Sequence, residues 1–145
     1  PKNEKITGMA RQMTFLVRSE PRRMTDITAR VAAAVAAAGP ATGVVHVFVR
    51  HTSCGVVITE NADPEVRRDL ETLAKRWAPD GDPAYRHDLE GDDDMAAHAR
   101  SVLSGSSVSV PCADGRLLLG TWQGIYLWEH RAASHEREVV VTVVG

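Results

Sequence analysis

From Ser106 onward the chain holds four runs rich in β-branched and aromatic residues and no helical stripe. The runs are Ser106 to Val110, Leu117 to Leu119, Gly124 to Trp128 and Glu138 to Val144. Turn signals separate them at Asp114-Gly115 and around Ser134-His135. Parallel neighbours need a crossover of roughly a dozen residues or more. A strand-only C-terminal third therefore favours a mainly antiparallel sheet over a doubly wound parallel fold. Upstream, Met13, Phe15 and Val17 alternate within a strand over Arg11 to Arg18. Val44 to Val49 and Val56 to Thr59 predict two more strands, with a turn or bulge at Gly55.

Three helices are predicted between them. Ile27, Val31, Ala34, Val35 and Ala38 fall at helical spacing, with Thr25 or Asp26 to cap the start and Gly39-Pro40 to end it. Asp63-Pro64 opens a second helix with the stripe Val66, Leu70, Leu73, Ala74 and Trp77. A third runs from about Asp93 to Leu103, with Met95, Ala99, Val102 and Leu103 inward. Pro79 to Pro83 and the acidic Tyr85 to Asp94 stretch lie between the second and third. The expected fold is α+β, with a mainly antiparallel sheet, three helices and one domain over 1–145.

The 145 residues are 43% hydrophobic and 25% charged, enough apolar matter for one core. Net charge is -2 and no lysine- or arginine-rich run appears, so no nucleic-acid footprint is expected. A few arginines still suffice for a small phosphorylated or anionic molecule. Cys54 and Cys112 show no disulfide framework and read as reduced, packed thiols. Pro1 to Glu4 lacks the apolar core of a signal peptide, and no stretch is long enough to span a membrane. The expected location is cytoplasmic.

Three histidines draw notice. His51 ends a strand and precedes Thr52, Ser53, Cys54 and Gly55, a setting that projects a side chain into a cleft or simply onto the surface. His87 sits in the acidic loop, where histidines are common without function. His98 lies on the third helix four residues after Asp94, so the carboxylate can orient the imidazole through its second N–H or merely form a solvated pair. No HExxH or CxxC motif appears, so any three-histidine site must be assembled by the fold. Such a set with one open position suits zinc and suits magnesium badly. Glu60-Asn61 and Glu129-His130 end strands, and either glutamate is a candidate general base. Gly120 to Gly124 is a glycine-bracketed turn carrying Trp122 and Gln123.

Read together, several segments resemble one family. They are His51-Thr52-Ser53, Glu60-Asn61, Asp63-Pro64, Arg68-Asp69-Leu70, Tyr85-Arg86-His87, Asp94 to His98, Gly105 to Ser107, Gly120 to Leu127 and Glu129-His130. This ordered set, spread from about Met13 to Gly145, resembles the YjbQ family, also called the uncharacterised protein family 0047 or secondary thiamine-phosphate synthase family. The resemblance implies a compact α+β domain assembling as a homotrimer, with His51, His87 and His98 around a divalent metal, zinc by its donor set. It implies a secondary thiamine-phosphate synthase activity, joining hydroxymethylpyrimidine diphosphate to thiazole phosphate with release of pyrophosphate. Thr52, Ser53, Asn61, Arg86, Trp122 and Gln123 are then candidates for substrate binding, and Glu60, Glu129 and Asp94 for catalysis. Cys54 departs from the alanine expected after the His-Thr-Ser run.

Three functions stay open at this level. A transferase needs cations for departing pyrophosphate, and Arg68, Arg86 and Arg116 are candidates. A zinc-type hydrolase or lyase fits the histidines but names no substrate. A trimeric metal- or ligand-binding module needs no turnover at all.

Overall fold

A computed structural model describes residues 10–145; the reading of Pro1 to Glu4 as free of a targeting segment lies outside the described residues. Eight strands and three helices follow in the order β1 (Ala10–Arg18), β2 (Met24–Asp26), α1 (Thr28–Ala38), β3 (Thr42–Val49), β4 (Cys54–Glu60), α2 (Pro64–Trp77), α3 (Asp94–Ser104), β5 (Ser107–Ala113), β6 (Arg116–Leu117), β7 (Gln123–Glu129) and β8 (Glu136–Val144). They form a five-stranded sheet, β1-β8-β3-β5-β6, and a three-stranded sheet, β2-β7-β4. Every pairing is antiparallel. No helix among the described residues is long and apolar enough to cross a membrane.

One core cluster draws on both sheets and on α1. Val45, Val47 and Val49 of β3 meet Val139, Val141 and Val143 of β8, Val56 of β4, and Ile125 and Leu127 of β7. Val31, Ala34 and Val35 of α1 complete it. The period of two sets this arrangement, because alternate β3 residues Val44, His46 and Phe48 point outward and stay exposed. β7 breaks the alternation, since Gly124 through Glu129 are all buried. Its second face lies under α2 and α3. Tyr126 Oη accepts from Arg67 of α2 at 3.2 Å, and Trp128 Nε1 donates to Glu71 at 3.2 Å.

The helix ends follow their sequence signals. Gly39 adopts φ 61 and its N–H reaches Val35 O. Asp63 Oδ1 accepts from Glu65 N at 2.9 Å, with Pro64 opening α2. At α1 the cap position is Ile27, not Thr25 or Asp26, and carries no capping side chain, although Asp26 Oδ1 from one residue earlier accepts from Thr28 N at 2.9 Å. Both cysteines are free and buried.

Some expectations are corrected. β2 escapes sequence reading because three residues carry no periodic signal. Gly55 is not in a turn; it lies within β4 opposite Trp128. A Cβ there would stand 2.4 Å from Ser104 Oγ and 2.7 Å from Gly105 O, so the glycine lets the end of α3 sit against the strand. The inward face of α3 is also different. It buries Asp94, Ala96, Ala97, Arg100 and Ser101, whereas Val102 and Leu103 are exposed. Small residues on that face let the helix approach β4; Asp94 and Ser101 are fully partnered, while Arg100 meets Glu71 through Nη1 alone.

Candidate functional site

α3 begins where the acidic loop ends, and its first residue holds the site together. Asp94 is 6% exposed. Its Oδ2 lies 2.7 Å from His87 Nε2 and 3.0 Å from His98 Nε2. Its Oδ1 pairs with Arg131 Nη1 at 2.9 Å. The two imidazoles stand with ring centroids 5.4 Å apart, tilted by 47°. One donor atom from each of His87, Asp94 and His98 lies within 4.8 Å of the others. Spacing explains part of this, because residues four apart share a helix face. His87 reaches the same oxygen from the loop.

His98 has an environment that a neutral ring does not satisfy. Its Nδ1 lies 2.8 Å from the carbonyl of Thr52, while its Nε2 faces the Asp94 carboxylate. Both neighbours are pure acceptors, and a neutral imidazole carries one N–H and one lone pair. Either the ring holds a second proton, or Nδ1–H donates to Thr52 and the Nε2 lone pair meets a cation. A backbone carbonyl on the outer nitrogen is the usual way a metal-ligating histidine is oriented. The role expected of Asp94 thus passes to Thr52, and Asp94 joins the donor set.

Burial alone would raise the Asp94 carboxyl, but the hydrogen bond from His87 and the charges of His98 and Arg131 hold it below the usual carboxylate range. Arg131 also donates to Asp93 Oδ2 at 2.8 Å. That bond is the main reason the Asp93 carboxyl drops to about 2. A cavity of about 160 Å3 adjoins His87, and Asp82, Asp88 and Asp92 line it together with Tyr85. Such a lining attracts cations.

His51 does not join this group. Its Nε2 accepts from the backbone N–H of Glu138 at 2.7 Å, and its Nδ1 lies 3.4 Å from Arg137. Burial and then the Arg137 charge lower its basicity, so the ring is neutral with its one lone pair already engaged. The group of potential metal ligands brought together among the described residues is therefore His87, Asp94 and His98, with His51 outside it. Glu129 is fully buried and takes Arg137 at 2.8 and 2.5 Å, Ser19 at 2.5 Å and Arg131 N at 3.0 Å. No lone pair is left for a general base. Ser53 is buried too, its hydroxyl held by Arg137 at 2.9 Å.

A second set of candidates lies elsewhere. Glu60 Oε2 accepts from Ala62 N and Asp63 N, both at 2.9 Å, and so shapes the entry to α2. Asn61 Nδ2 donates to Thr121 O and Gln123 O, and Gln123 Oε1 accepts from Gly120 N. Trp122 is exposed on that turn. Glu60 pairs with Gln123 at one end of β4, and Cys54 with Glu129 at the other. Six strand steps separate these ends by about 20 Å within one chain. Arg86 stays exposed beside His87. Arg68 pairs with Glu65 on α2, and Arg116 lies on the edge strand β6. Burial pushes the Cys54 thiol up to about 12, so it is a packed residue and no soft ligand.

The family model described as UPF0047 protein YjbQ-like matches residues 13–145. The chain belongs to the YjbQ/UPF0047 family. A UPF0047 protein of Synechocystis is 44% identical over 134 residues, covering 92% of this chain and 91% of that one. The UPF0047 protein YjbQ of Salmonella typhimurium is 40% identical over 135 residues, covering 92% and 97%. Among solved structures, a YbjQ-like protein of Sulfolobus solfataricus has a TM-score of 0.87 at 26% identity, covering 95% of this chain and 99% of that one. A Thermus thermophilus protein has a TM-score of 0.80 at 38% identity, covering 89% and 97%. The α+β YjbQ fold is thereby shared across distant members.

Sequence reasoning missed Arg131 and Arg137. Both follow the Glu129-His130 pair, and only the fold turns them back onto Asp94 and Glu129. His130 is fully buried, with Nε2 3.0 Å from Ser104 Oγ. Burial, then the Arg100 charge, lowers it from 6.5 to about 3. The unfolded chain takes up this proton below its ordinary value while the folded chain refuses it, so stability falls as pH drops through that window. Between about pH 6 and pH 5 this contributes a slope of about 1 kcal/mol per pH unit. Urea unfolding at those pH values is expected to show a flatter slope in His130→Asn; an unchanged slope overturns the assignment.

Proposed function

We propose that this chain is a divalent-metal enzyme whose centre is His87, Asp94 and His98, acting on a small phosphorylated or anionic molecule. The observation that carries the reading is His98, with an acceptor at each ring nitrogen. A cation against Nε2 and the Asp94 carboxylate removes that conflict without a second proton. Two imidazoles and one carboxylate select zinc or a neighbouring transition ion over magnesium. Bound there, such an ion supplies Lewis acidity and activates water at neutral pH. Thr52 holds the His98 tautomer, and Arg131 anchors the second Asp94 oxygen. Arg86 is the free cation next to the centre among the described residues, and suits a phosphate.

The specific reaction implied by the family resemblance is thiamine-phosphate synthesis. The donor set favours a hydrolytic or lyase reaction instead, because pyrophosphate departure ordinarily uses magnesium on oxygen ligands. Homotrimer formation is part of the proposal. Val44 pairs with Val144 and Phe48 with Val140 on the outer face of the five-stranded sheet, and Val44, Phe48 and Val144 are exposed. An apolar sheet face of this kind supports self-association.

The test is metal content by mass spectrometry, followed by turnover of the two thiamine precursors with and without chelator. About one transition ion per chain is expected, and loss of turnover with its removal. His98→Ala is expected to lose the ion while light scattering still reports a trimer. Unchanged metal in that variant overturns the centre. Turnover that survives full metal removal overturns the metal mechanism.

A further inference from the structure

The far side of α3 carries a second, separate feature. His98 and Arg100 are two residues apart on the helix, so their side chains leave it on opposite sides. Arg100 is 2% exposed. Its Nη1 donates to Glu71 Oε2 at 2.7 Å, but Nε and Nη2 are buried without a hydrogen-bond partner. Buried guanidinium donors are rarely left so, because an unmet charged donor is costly. Nε and Nη2 form one edge of the guanidinium, the edge that grips a carboxylate with two parallel bonds.

Arg100 lines a cavity of about 240 Å3 between α2, α3 and the three-stranded sheet. Its walls are apolar, with Met24, Ile58, Leu70, Trp77, Leu103 and Trp128. Ser104 and His130 make one polar corner beside Arg100, and His130 Nδ1 is likewise unpartnered. An apolar cavity of roughly 150 Å3 accepts benzene, so this one has room for a ring and a short acid arm. The exposure of Trp77 at 58% and Leu103 at 64% fits the rim of such a site. The adjoining groove shares Met24 and Trp128 and adds Arg22, Arg23, Arg67, Arg68 and Lys75 against Glu20 and Glu71. Arg22, Arg23 and Arg68 are paired with Asp80, Glu20 and Glu65, so among the described residues Arg67 and Lys75 are the groove cations left to draw an anion.

We propose that this cavity binds a small aromatic monocarboxylic acid, its ring between the tryptophans and leucines and its carboxylate on Nε and Nη2 of Arg100. Both donors are closed to solvent, and a carboxylate that reaches them satisfies them. This site is independent of the His87–Asp94–His98 centre, since it uses the other face of α3.

The experiment is a two-dimensional NMR titration of the full chain with phenylacetate, its neutral amide and inorganic phosphate, each with and without chelator. Phenylacetate is expected to shift the indole N–H signals of Trp77 and Trp128 saturably at millimolar concentration. The amide is expected to bind roughly tenfold to hundredfold more weakly, the worth of a charge-assisted pair. Arg100→Met and the cavity-filling Thr59→Trp are each expected to abolish the shifts, and the second leaves the Arg100–Glu71 pair in place. Equal binding of acid and amide overturns the role of Arg100. No saturable shift with phenylacetate overturns the site. Displacement of phenylacetate by phosphate overturns the carboxylate assignment, and loss of binding with chelator overturns its independence from the metal.

Discussion

If His87, Asp94 and His98 hold a metal as proposed, Asp94→Asn is expected to keep its fold and lose the ion. The side chain is isosteric, and the amide oxygen still accepts from Arg131. What disappears is the negative charge that faces His87 and His98 within 3.0 Å. Loss of an outer-shell partner already costs a metal site roughly tenfold to hundredfold in affinity. Removal of the anionic ligand itself is therefore expected to weaken zinc binding by more than about hundredfold. Competition with a chromophoric chelator measures it, with circular dichroism as the control for folding. Affinity within a few-fold of wild type overturns Asp94 as a ligand.

Arg137→Met is expected to produce the largest loss of stability. Glu129 is fully buried, and Arg137 gives it two hydrogen bonds. Methionine fills much of the volume but strands the carboxylate. Breaking a buried pair on one side costs about 3–5 kcal/mol, which lowers Tm by roughly 10–20 °C in a chain of this size. Glu129→Gln/Arg137→Met is expected to recover more than half of that loss, since no buried charge remains and the glutamine still meets Ser19. Failure of the double variant to recover points to packing and not charge. The pair also sets an acid limit. Burial would raise the Glu129 carboxyl, but Arg137 and Ser19 hold it below its ordinary value. Its stabilisation is present above the usual glutamate range and lost as pH falls through the lowered value.

The centre was half legible in the sequence. The spacing of Asp94 and His98 is local, and a helix places such residues on one face. His87 had no local signal, because the loop that returns it to Asp94 Oδ2 carries no periodicity. His51 misled for the opposite reason. A strand-end histidine beside hydroxyls looks available, but its lone pair goes to a backbone N–H on β8, eighty-seven residues away. Glu129 looked like a free carboxylate at a strand end, and Arg137 fills it from the neighbouring sheet.

What the sequence determined by itself were the quantities that depend on near neighbours. Period two in β3 and β8, the Asp63-Pro64 start of α2 and the Gly39 cap of α1 each follow from interactions within a few residues. The antiparallel α+β character follows too, since connections after Ser106 are too short for crossovers. Tertiary structure alone decided which polar groups share a lone pair. It set Thr52 behind His98, brought Asp94 rather than His51 against His87 and His98, and left two donors of Arg100 unmet beside a cavity. Those outcomes depend on distances between segments far apart in the chain, and a hydrogen bond or a metal ligand is made or lost over less than an ångström.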